Sequence, residues 1–325
     1  MNEFYDFAKL ADDEVMAFCR QDELFAEAVA IASQDLYKMY ADSSTKTTDR
    51  MIESVKKYYG RMTARPTPYG LFAGVATAEF SSEGTDICLA GQEQYHKICR
   101  VDNEWYFKLV KKIEEMPGLL LNLQVIFNKH CYKAKSRLKN CYCSNLRKEN
   151  VEHAEDLSIK YTKQVDYVRE FAADFVPFKD LRNFLFAKNP NVPQKIIDKF
   201  LKELLQNEYI YTNICVLSKE DDPLHSLLQN NKFIDLLAEE QALIDKLVEI
   251  DKLREEYAKA QFGKGEEILA SLTGLMEQVV KAKNYIYTIL KLDSENNKLD
   301  IKIKNELEEF SDFMMSLATP YNEDE

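Results

Sequence analysis

Glycine and proline are scarce in this chain, nine and eight among 325 residues. Each breaks a helix, glycine through backbone entropy and proline through a missing N–H and a ring clash. Their scarcity, with abundant Leu, Lys and Glu, biases the chain toward helices over a loop-rich β architecture. The 18 Tyr and 18 Phe still supply strands and a core. Between Tyr59 and Gly74 the two breakers gather, as Gly60, Pro66, Pro68, Gly70 and Gly74. There the backbone has to turn, and there the chemistry concentrates.

Apolar spacing divides the rest. Phe18, Phe25, Val29, Ala32 and Leu36 recur at helical intervals and predict helix over 12–40. A second helix starts near Asp49 and carries Met51, Ile52, Val55 and Tyr59 toward Arg61. Strands are expected over 71–80 and 86–89, a helix with Trp105, Leu109 and Ile113 over 103–115, and paired strands over 119–143. Over 158–217 three short helices precede a Tyr- and Ile-rich strand at 208–216, with Pro193 at a first helical position. That order suggests a winged helix. The third helix turns Gln194, Asp198, Lys202, Glu203 and Gln206 outward, which argues against DNA reading and against a regulatory winged-helix protein. Residues 223–282 read as an αα-hairpin, 285–292 as a strand, 303–317 as a final helix and 322–325 as a disordered acidic end. The expected class is α+β, mixed helices and antiparallel sheet with an embedded winged-helix module. The expected divisions are 1–157, 158–217 and 218–325.

The formal net charge is −12, so any RNA contact requires a local basic patch. One exists: Lys129, Lys133, Lys135, Arg137, Lys139, Arg147 and Lys148, with Tyr132 and Tyr142 interleaved and no acidic residue between. A solvated hairpin with lysine-rich edges is the competing reading. The seven cysteines are scattered, and Met1–Leu10 has no apolar core of a signal peptide. Reduced thiols, a cytoplasmic location and no membrane insertion are therefore expected. Cys131, Cys141, Cys143 and His130 lack a paired knuckle, and the four histidines show no HxxxH spacing, so no metal is expected.

In Tyr59-Gly-Arg-Met-Thr-Ala-Arg-Pro-Thr-Pro-Tyr-Gly-Leu-Phe-Ala-Gly74, Arg61 and Arg65 lie four apart. If the helix persists to Arg65, both guanidiniums project from one face. Thr67 follows between two prolines, and Lys56 and Lys57 add positive field. Two forks and a hydroxyl beside a rigid loop suit a phosphate or a polarised ester carbonyl. The plainer alternative is two structural arginines bridging carboxylates in a helix-to-strand corner.

This run resembles the R-x-x-x-R-x-T-P-F-G-L-F-A-G signature of the lantibiotic dehydratase N-terminal domain, with Tyr69 for Phe. Ala30-Ile-Ala-Ser-Gln-Asp-Leu-Tyr37 resembles the family's I-A-S-P-x-L-Y helix, and Arg100-Val-Asp-Asn-Glu-Trp105 its R-x-D-x-x-W helix start. Segment 158–217 falls where the family carries a winged-helix element that recognises the precursor peptide.

The resemblance implies transfer of glutamate from glutamyl-tRNA, the co-substrate, to Ser or Thr hydroxyls of a ribosomal precursor peptide, with no other cofactor. A second domain of full dehydratases then eliminates glutamate. Transesterification of an activated ester needs positioning and oxyanion stabilisation. By resemblance, Arg61, Arg65, Thr67 and Asp102 match glutamylation-site positions, and Asp102 equally suits a helix N-cap. Lys56, Lys57, Lys133, Lys135, Arg137 and Lys139 are assigned to tRNA. Leader binding by strand addition is assigned to Ile197, Leu201, Tyr209, Ile210 and Tyr211, which suit core contacts equally well. Two departures stand out: Asp6 where the family has an arginine, and Thr288 where it has an acidic residue. Full dehydratases are also several times longer. The expectation is a split enzyme completed by a partner subunit, with a non-catalytic leader-binding scaffold as the alternative.

Overall fold

A computed structural model of the chain describes residues 12–41, 48–89, 91–143, 155–215, 222–293 and 296–317. Helices α1 (Asp12–Gln21), α2 (Glu23–Ala32), α3 (Gln34–Ala41) and α4 (Asp49–Ala64) lead into strands β1 (Gly70–Val75), β2 (Glu79–Ser81) and β3 (Tyr95–Val101). Next come α5 (Asn103–Glu115), α6 (Pro117–Leu121), β4 (Gln124–Phe127), β5 (Tyr132–Ala134), β6 (Arg137–Cys143) and β7 (Glu155–Lys160). Then follow α7 (Lys163–Phe171), β8 (Val176–Pro177), α8 (Phe178–Lys188), α9 (Gln194–Gln206), β9 (Ile210–Thr212) and α10 (Pro223–Asn230). The chain continues through α11 (Ala238–Lys259), α12 (Glu266–Val279), β10 (Ile286–Leu292), β11 (Lys298–Asp300) and α13 (Ile301–Leu317).

The α+β class holds, with smaller pieces than the spacing predicted. The single helix expected over 12–40 is three helices. Asp22 interrupts it by accepting the Phe25 N–H at 3.0 Å, and Ser33 does so by accepting the Leu36 N–H at 3.3 Å. The strand expected over 71–80 is broken into β1 and β2, and only Asp86 of the segment 86–89 forms a bridge, to Lys298. The strand expected over 208–216 shortens to β9. Sheets β8-β4-β9 and β5-β6-β7 are antiparallel. The β1–β10 and β2–β11 pairs run parallel, which their long intervening chain permits. The acidic end 322–325 lies outside the described residues.

Two compact units organise the chain, and neither is contiguous. The first holds 1–99, 258–266 and 288–325; the second holds 100–257 and 267–287. The expected segment 158–217 thus falls wholly in the second unit, while 1–157 and 218–325 are each divided between the two.

In the first unit α1, α2 and α4 bury Val15, Cys19, Phe25, Val29, Met51 and Val55 against Leu71 and Phe72 of β1 and Leu290 of β10. Sheet order there is β1-β10-β3. Lys97 and Glu27 meet at 2.6 Å with almost no exposure, and the Gly263 N–H donates to the other Glu27 oxygen at 2.8 Å. The second unit is built around α5, whose Trp105, Leu109 and Ile113 are fully buried as their spacing predicted. The Trp105 indole N–H donates to the Met276 carbonyl at 3.0 Å, tying α5 to α12. Helices α11 and α12 form the expected hairpin, with Leu247, Leu272 and Met276 in the same core. No helix among the described residues is long and apolar enough to cross a membrane.

Candidate functional site

The corner after α4 is set by local chemistry. Thr48 caps the helix by accepting the Met51 N–H at 3.3 Å, and Met51, Ile52 and Val55 bury one face. The helix stops at Ala64. Arg65 is extended, φ −115° and ψ 118°, and its N–H closes the last turn on the Arg61 carbonyl at 3.1 Å. Pro66 accounts for this, because proline drives the preceding residue out of helical geometry. The condition for two arginines on one helix face therefore fails: Arg61 belongs to the helix, and Arg65 opens the loop. Arg65 and Thr67 are exposed.

Arg61 is held by aromatic rings. Its guanidinium carbon lies 4.2 Å from the centroid of Tyr69. Tyr69 stacks on Phe72 at 6.0 Å, and Phe72 on Tyr58 at 5.3 Å. Burial raises the Tyr58 phenol, and Tyr69 adds to this, while Arg61 opposes it. The motif thus forms a layered stack of Arg61, Tyr69, Phe72 and Tyr58. The Tyr69 substitution keeps the ring that supports the cation.

Two buried polar atoms here have no hydrogen-bond partner among the described residues, Arg61 Nε and Thr288 Oγ1. Thr288 is 1% exposed, on β10 beneath the turn at Gly70. Gly70 has φ +55°, the left-handed region that favours glycine, and a Cβ there would lie 3.6 Å from Thr288 Oγ1. Orphaned buried polar groups are uncommon in folded proteins, and strain, a functional role or a bound water or ion accounts for those that occur. Arg61, Tyr69, Gly70 and Thr288 therefore form a corner with a cation, an aromatic platform and a spare hydroxyl. The role of Tyr69 was hidden in the sequence, because only the turn folds it back under Arg61.

The remaining expected residues are placed as follows. Lys56 pairs with Asp12 at 2.8 Å, and Lys57 is exposed. Asp102, in the other unit, caps α5 by accepting the Glu104 N–H at 2.8 Å, and its own N–H donates to the Tyr285 carbonyl at 2.8 Å. Asp6, Arg147 and Lys148 lie outside the described residues, as does the Tyr142 side chain.

The basic stretch forms the hairpin of β5 and β6, with Lys135 at φ 54° in the two-residue turn. Its cations do not share one face. Arg137 and Lys139 align with Ser158 and Lys160 of β7. Lys133 stands opposite Leu138, on the other face, with its ammonium 4.3 Å over the Tyr161 ring. Arg137 also donates to Ser158, through Nε to the hydroxyl and through Nη2 to the carbonyl. Lys160 joins the Arg137 and Lys139 face through β-pairing that the sequence did not reveal.

The fold corrects the leader-binding residues. Ile197, Leu201, Tyr209 and Ile210 are at most 5% exposed. Their side chains fill the core beneath α7, α8 and α9: Ile197 and Leu201 lie on the inward stripe of α9, Tyr209 lies just before β9, and Ile210 is on the inward face of β9. Only Tyr211 is partly exposed. Strand β9 is an outer strand of its sheet, paired to β4 with Tyr211 opposite Ile126.

Two features escaped sequence reading because their residues are far apart along the chain. A cleft of about 1030 Å³ in the first unit is lined by Asp22, Glu23, His96, Lys97 and Phe262 among others, and none of the expected site residues lines it. In the second unit His225, Asp251 and Glu255 bring ligand atoms within 4.8 Å of one another. Arg254 already sits 2.6 Å from Asp251. Nearby, burial raises the Asp222 carboxyl, against Arg254 and the N–H groups of Val101, His225 and Leu224, which lower it.

Residues 21–325 match the family model "Lantibiotic dehydratase, N terminus". The chain is 26% identical over 304 residues to the epidermin biosynthesis protein EpiB of Staphylococcus epidermidis, covering 92% of this chain and 30% of that protein. It is 27% identical over 307 residues to the nisin biosynthesis protein NisB of Lactococcus lactis subsp. lactis, covering 93% and 30%. Its fold is similar to that of the tRNA-dependent lantibiotic dehydratase MibB from Microbispora sp. 107891, with a TM-score of 0.74, 22% identity, and coverage of 94% of this chain and 30% of that one. It is also similar to the glutamylation domain of TbtB from thiomuracin biosynthesis, with a TM-score of 0.63, 15% identity, and coverage of 90% and 35%. The chain thus spans under a third of the length of the curated relatives it matches. With its motif folded into the Arg61 corner and its match running from residue 21 to residue 325, the chain belongs to the lantibiotic dehydratase N-terminal family.

Proposed function

We propose that this chain supplies the substrate-positioning part of a tRNA-dependent glutamylation enzyme in the biosynthesis of ribosomal, post-translationally modified peptides. In this reading, glutamate passes from glutamyl-tRNA to a Ser or Thr hydroxyl of a precursor peptide. The observation that carries it is the Arg61 corner: a guanidinium seated on Tyr69, with Arg61 Nε and the Thr288 hydroxyl both lacking a hydrogen-bond partner among the described residues. Arg65 and Thr67 stand exposed on the adjoining loop. A fixed cation suits the phosphate or ester oxygen of an aminoacylated RNA end, where charge must be met without reorganisation. The ester is already activated, so the chain need supply no strong nucleophile. Arg61 and Arg65 bind and orient, and Thr67 positions.

Supporting this reading, the fold is similar to that of MibB, a tRNA-dependent lantibiotic dehydratase, and to that of a glutamylation domain. The face of Arg137, Lys139 and Lys160 would contact the tRNA body, with Lys133 and Lys135 on the other face and at the turn. Helices α7, α8 and α9 with β4 and β9 would serve as a winged-helix element that receives the leader as an added strand along β9. The remaining glutamylation and elimination machinery would come from sequence beyond the matched third.

A second reading, a precursor-binding scaffold without catalysis, is favoured by one observation. Thr288 is neutral and buried at the position that the resemblance assigns to an acidic residue. The deciding experiment mixes the protein with glutamyl-tRNA carrying labelled glutamate and the precursor peptide, with and without the rest of the dehydratase. Label in the peptide that depends on this chain and is lost in Arg61→Ala supports transfer. Leader binding with no label in any mixture leaves the scaffold.

A further inference from the structure

Helices α10 and α11 bring His225, Asp251 and Glu255 together, although His225 and Asp251 are 26 residues apart in the chain. Asp251 and Glu255 stand four apart on α11, one turn along the same face. His225 reaches them from the first turn of α10. Its Nδ1 lies 2.8 Å from Asp251 Oδ2 and 3.8 Å from Glu255 Oε1, and the three ligand atoms fall within 4.8 Å of one another. Neighbouring side chains hold this arrangement. Arg254 donates from Nη2 to Asp251 Oδ1 at 2.6 Å, which leaves Oδ2 turned to His225. Asp222 is buried and accepts the N–H groups of Leu224 and His225 at 2.9 and 3.2 Å, fixing the start of α10. Its other oxygen accepts the Val101 N–H at 2.8 Å. All of these residues belong to the second unit.

We infer that His225, Asp251 and Glu255 form a binding site for a divalent transition-metal ion of the zinc class. Ligand atoms about 2.0–2.1 Å from a tetrahedral zinc ion lie about 3.3 Å from one another. The spacings of 2.8 and 3.8 Å bracket that value, so small side-chain rotations close the site. One imidazole and two carboxylates make a mixed nitrogen and oxygen set, which suits zinc better than the all-oxygen shell of calcium or magnesium. The charges agree. The carboxylates of Asp222, Asp251 and Glu255 converge on Arg254, at 3.7, 2.6 and 3.6 Å. Within this cluster three carboxylates meet one guanidinium, a balance that a dication completes. The ion would lie on the His225 side of Asp251, whose other oxygen keeps Arg254. His225 and Glu255 are partly exposed, so the ion can enter from solvent and water can complete its shell. Hydrogen bonds that orient ligands from behind raise metal affinity, and Arg254 serves Asp251 in this way. The bound ion would pin α10 to α11 beside the end of β3. The site shares no residue with the Arg61 corner and does not depend on glutamyl transfer.

The test uses the full chain, stripped with EDTA and then titrated with Zn²⁺ alone or Co²⁺ alone, as wild type, His225→Gln and Glu255→Gln. Unchanged circular dichroism establishes that the variants fold. Calorimetry gives stoichiometry and affinity, and the Co²⁺ absorption spectrum reports the ligands. The spectrum matters because the free cysteines compete for both ions, and a thiolate ligand adds a charge-transfer band. The expected result is one equivalent bound by wild type, without a thiolate band, and affinity at least tenfold weaker in each variant. Zn²⁺ should also raise the melting temperature of wild type and leave that of His225→Gln unchanged. Absence of saturable binding would reduce the cluster to a histidine–carboxylate ion pair and overturn the inference. Wild-type affinity in either variant would overturn it too, and a thiolate band in that case would place the ion on cysteines.

Discussion

Arg61 shows why charge alone does not define this corner. Lysine would keep the charge but lose the flat guanidinium on Tyr69 and the spare Nε donor. Arg61→Lys is expected to lower glutamyl transfer about tenfold, a loss of about 1.4 kcal/mol of transition-state stabilisation, with little change in melting temperature. Tyr69→Phe should behave as wild type, whereas Tyr69→Leu should approach Arg61→Lys; single-turnover transfer rates compare them. At Gly74 an added Cβ would fall 2.5 Å from the Leu292 side chain. Gly74→Ala is therefore expected to destabilise by about 1–3 kcal/mol through overpacking, and Leu292→Ala should relieve part of that loss in urea unfolding. The motif itself was legible in the sequence. What was not legible was that its Tyr69 supports the arginine, because that contact exists only once Pro66 has ended the helix and the chain has turned back.

At the scale of elements, short range and long range separate. The caps at Asp22, Ser33, Thr48 and Asp102 each sit two or three residues before the N–H they accept, so they are readable from the sequence. Reading 12–40 as one helix overlooked the first two of these breaks. The Lys97–Glu27 pair joins β3 to α2 across 70 residues and left no local trace. Because both ends are buried, removing one partner strands a charge. Lys97→Met or Glu27→Leu alone should cost about 3–5 kcal/mol, and the double substitution much less. Urea midpoints of the two single variants and the double variant form the cycle that checks this. The hairpin of β5 and β6 was expected from its basic stretch, but which cations share a face depended on pairing. Lys133 was separated from Arg137 and Lys139 by the alternation of the strands.

Over the whole molecule, an acidic chain has to bind RNA through a local surface. If Arg137, Lys139 and Lys160 contact phosphates, tRNA affinity should fall with salt, and Arg137→Ala/Lys139→Ala should make the log–log salt dependence shallower by about one to two units. Filter binding between low and physiological salt measures this, and an unchanged slope would return the hairpin to a solvated edge. A second whole-molecule property is alkaline sensitivity. Cys19 and Cys131 are each pushed up to about 12, in both cases chiefly by burial, with Asp22 adding for Cys19 and Cys141 and Cys143 for Cys131. The folded state holds these protons more tightly than the unfolded chain does. Their contribution is therefore complete below the ordinary value of 9.0 and is lost as pH rises toward 12. Urea midpoints should decline from pH 9 upward, and Cys19→Ala should flatten that decline.

The sequence by itself determined the family, the α+β class, the inward faces of α4 and α5 and the existence of a basic hairpin. Each rests on interactions within a few residues or on a motif that is contiguous in the chain. Tertiary structure alone decided which strands pair in parallel, that the two compact units are woven from separated segments, and that Ile197, Leu201, Tyr209 and Ile210 are core. It also brought Thr288 beneath Gly70 and left α13 uncovered. Burial is the physical reason: the amphipathic stripes of α9 and α13 look alike in sequence, and only the surrounding chain determines which of them is covered.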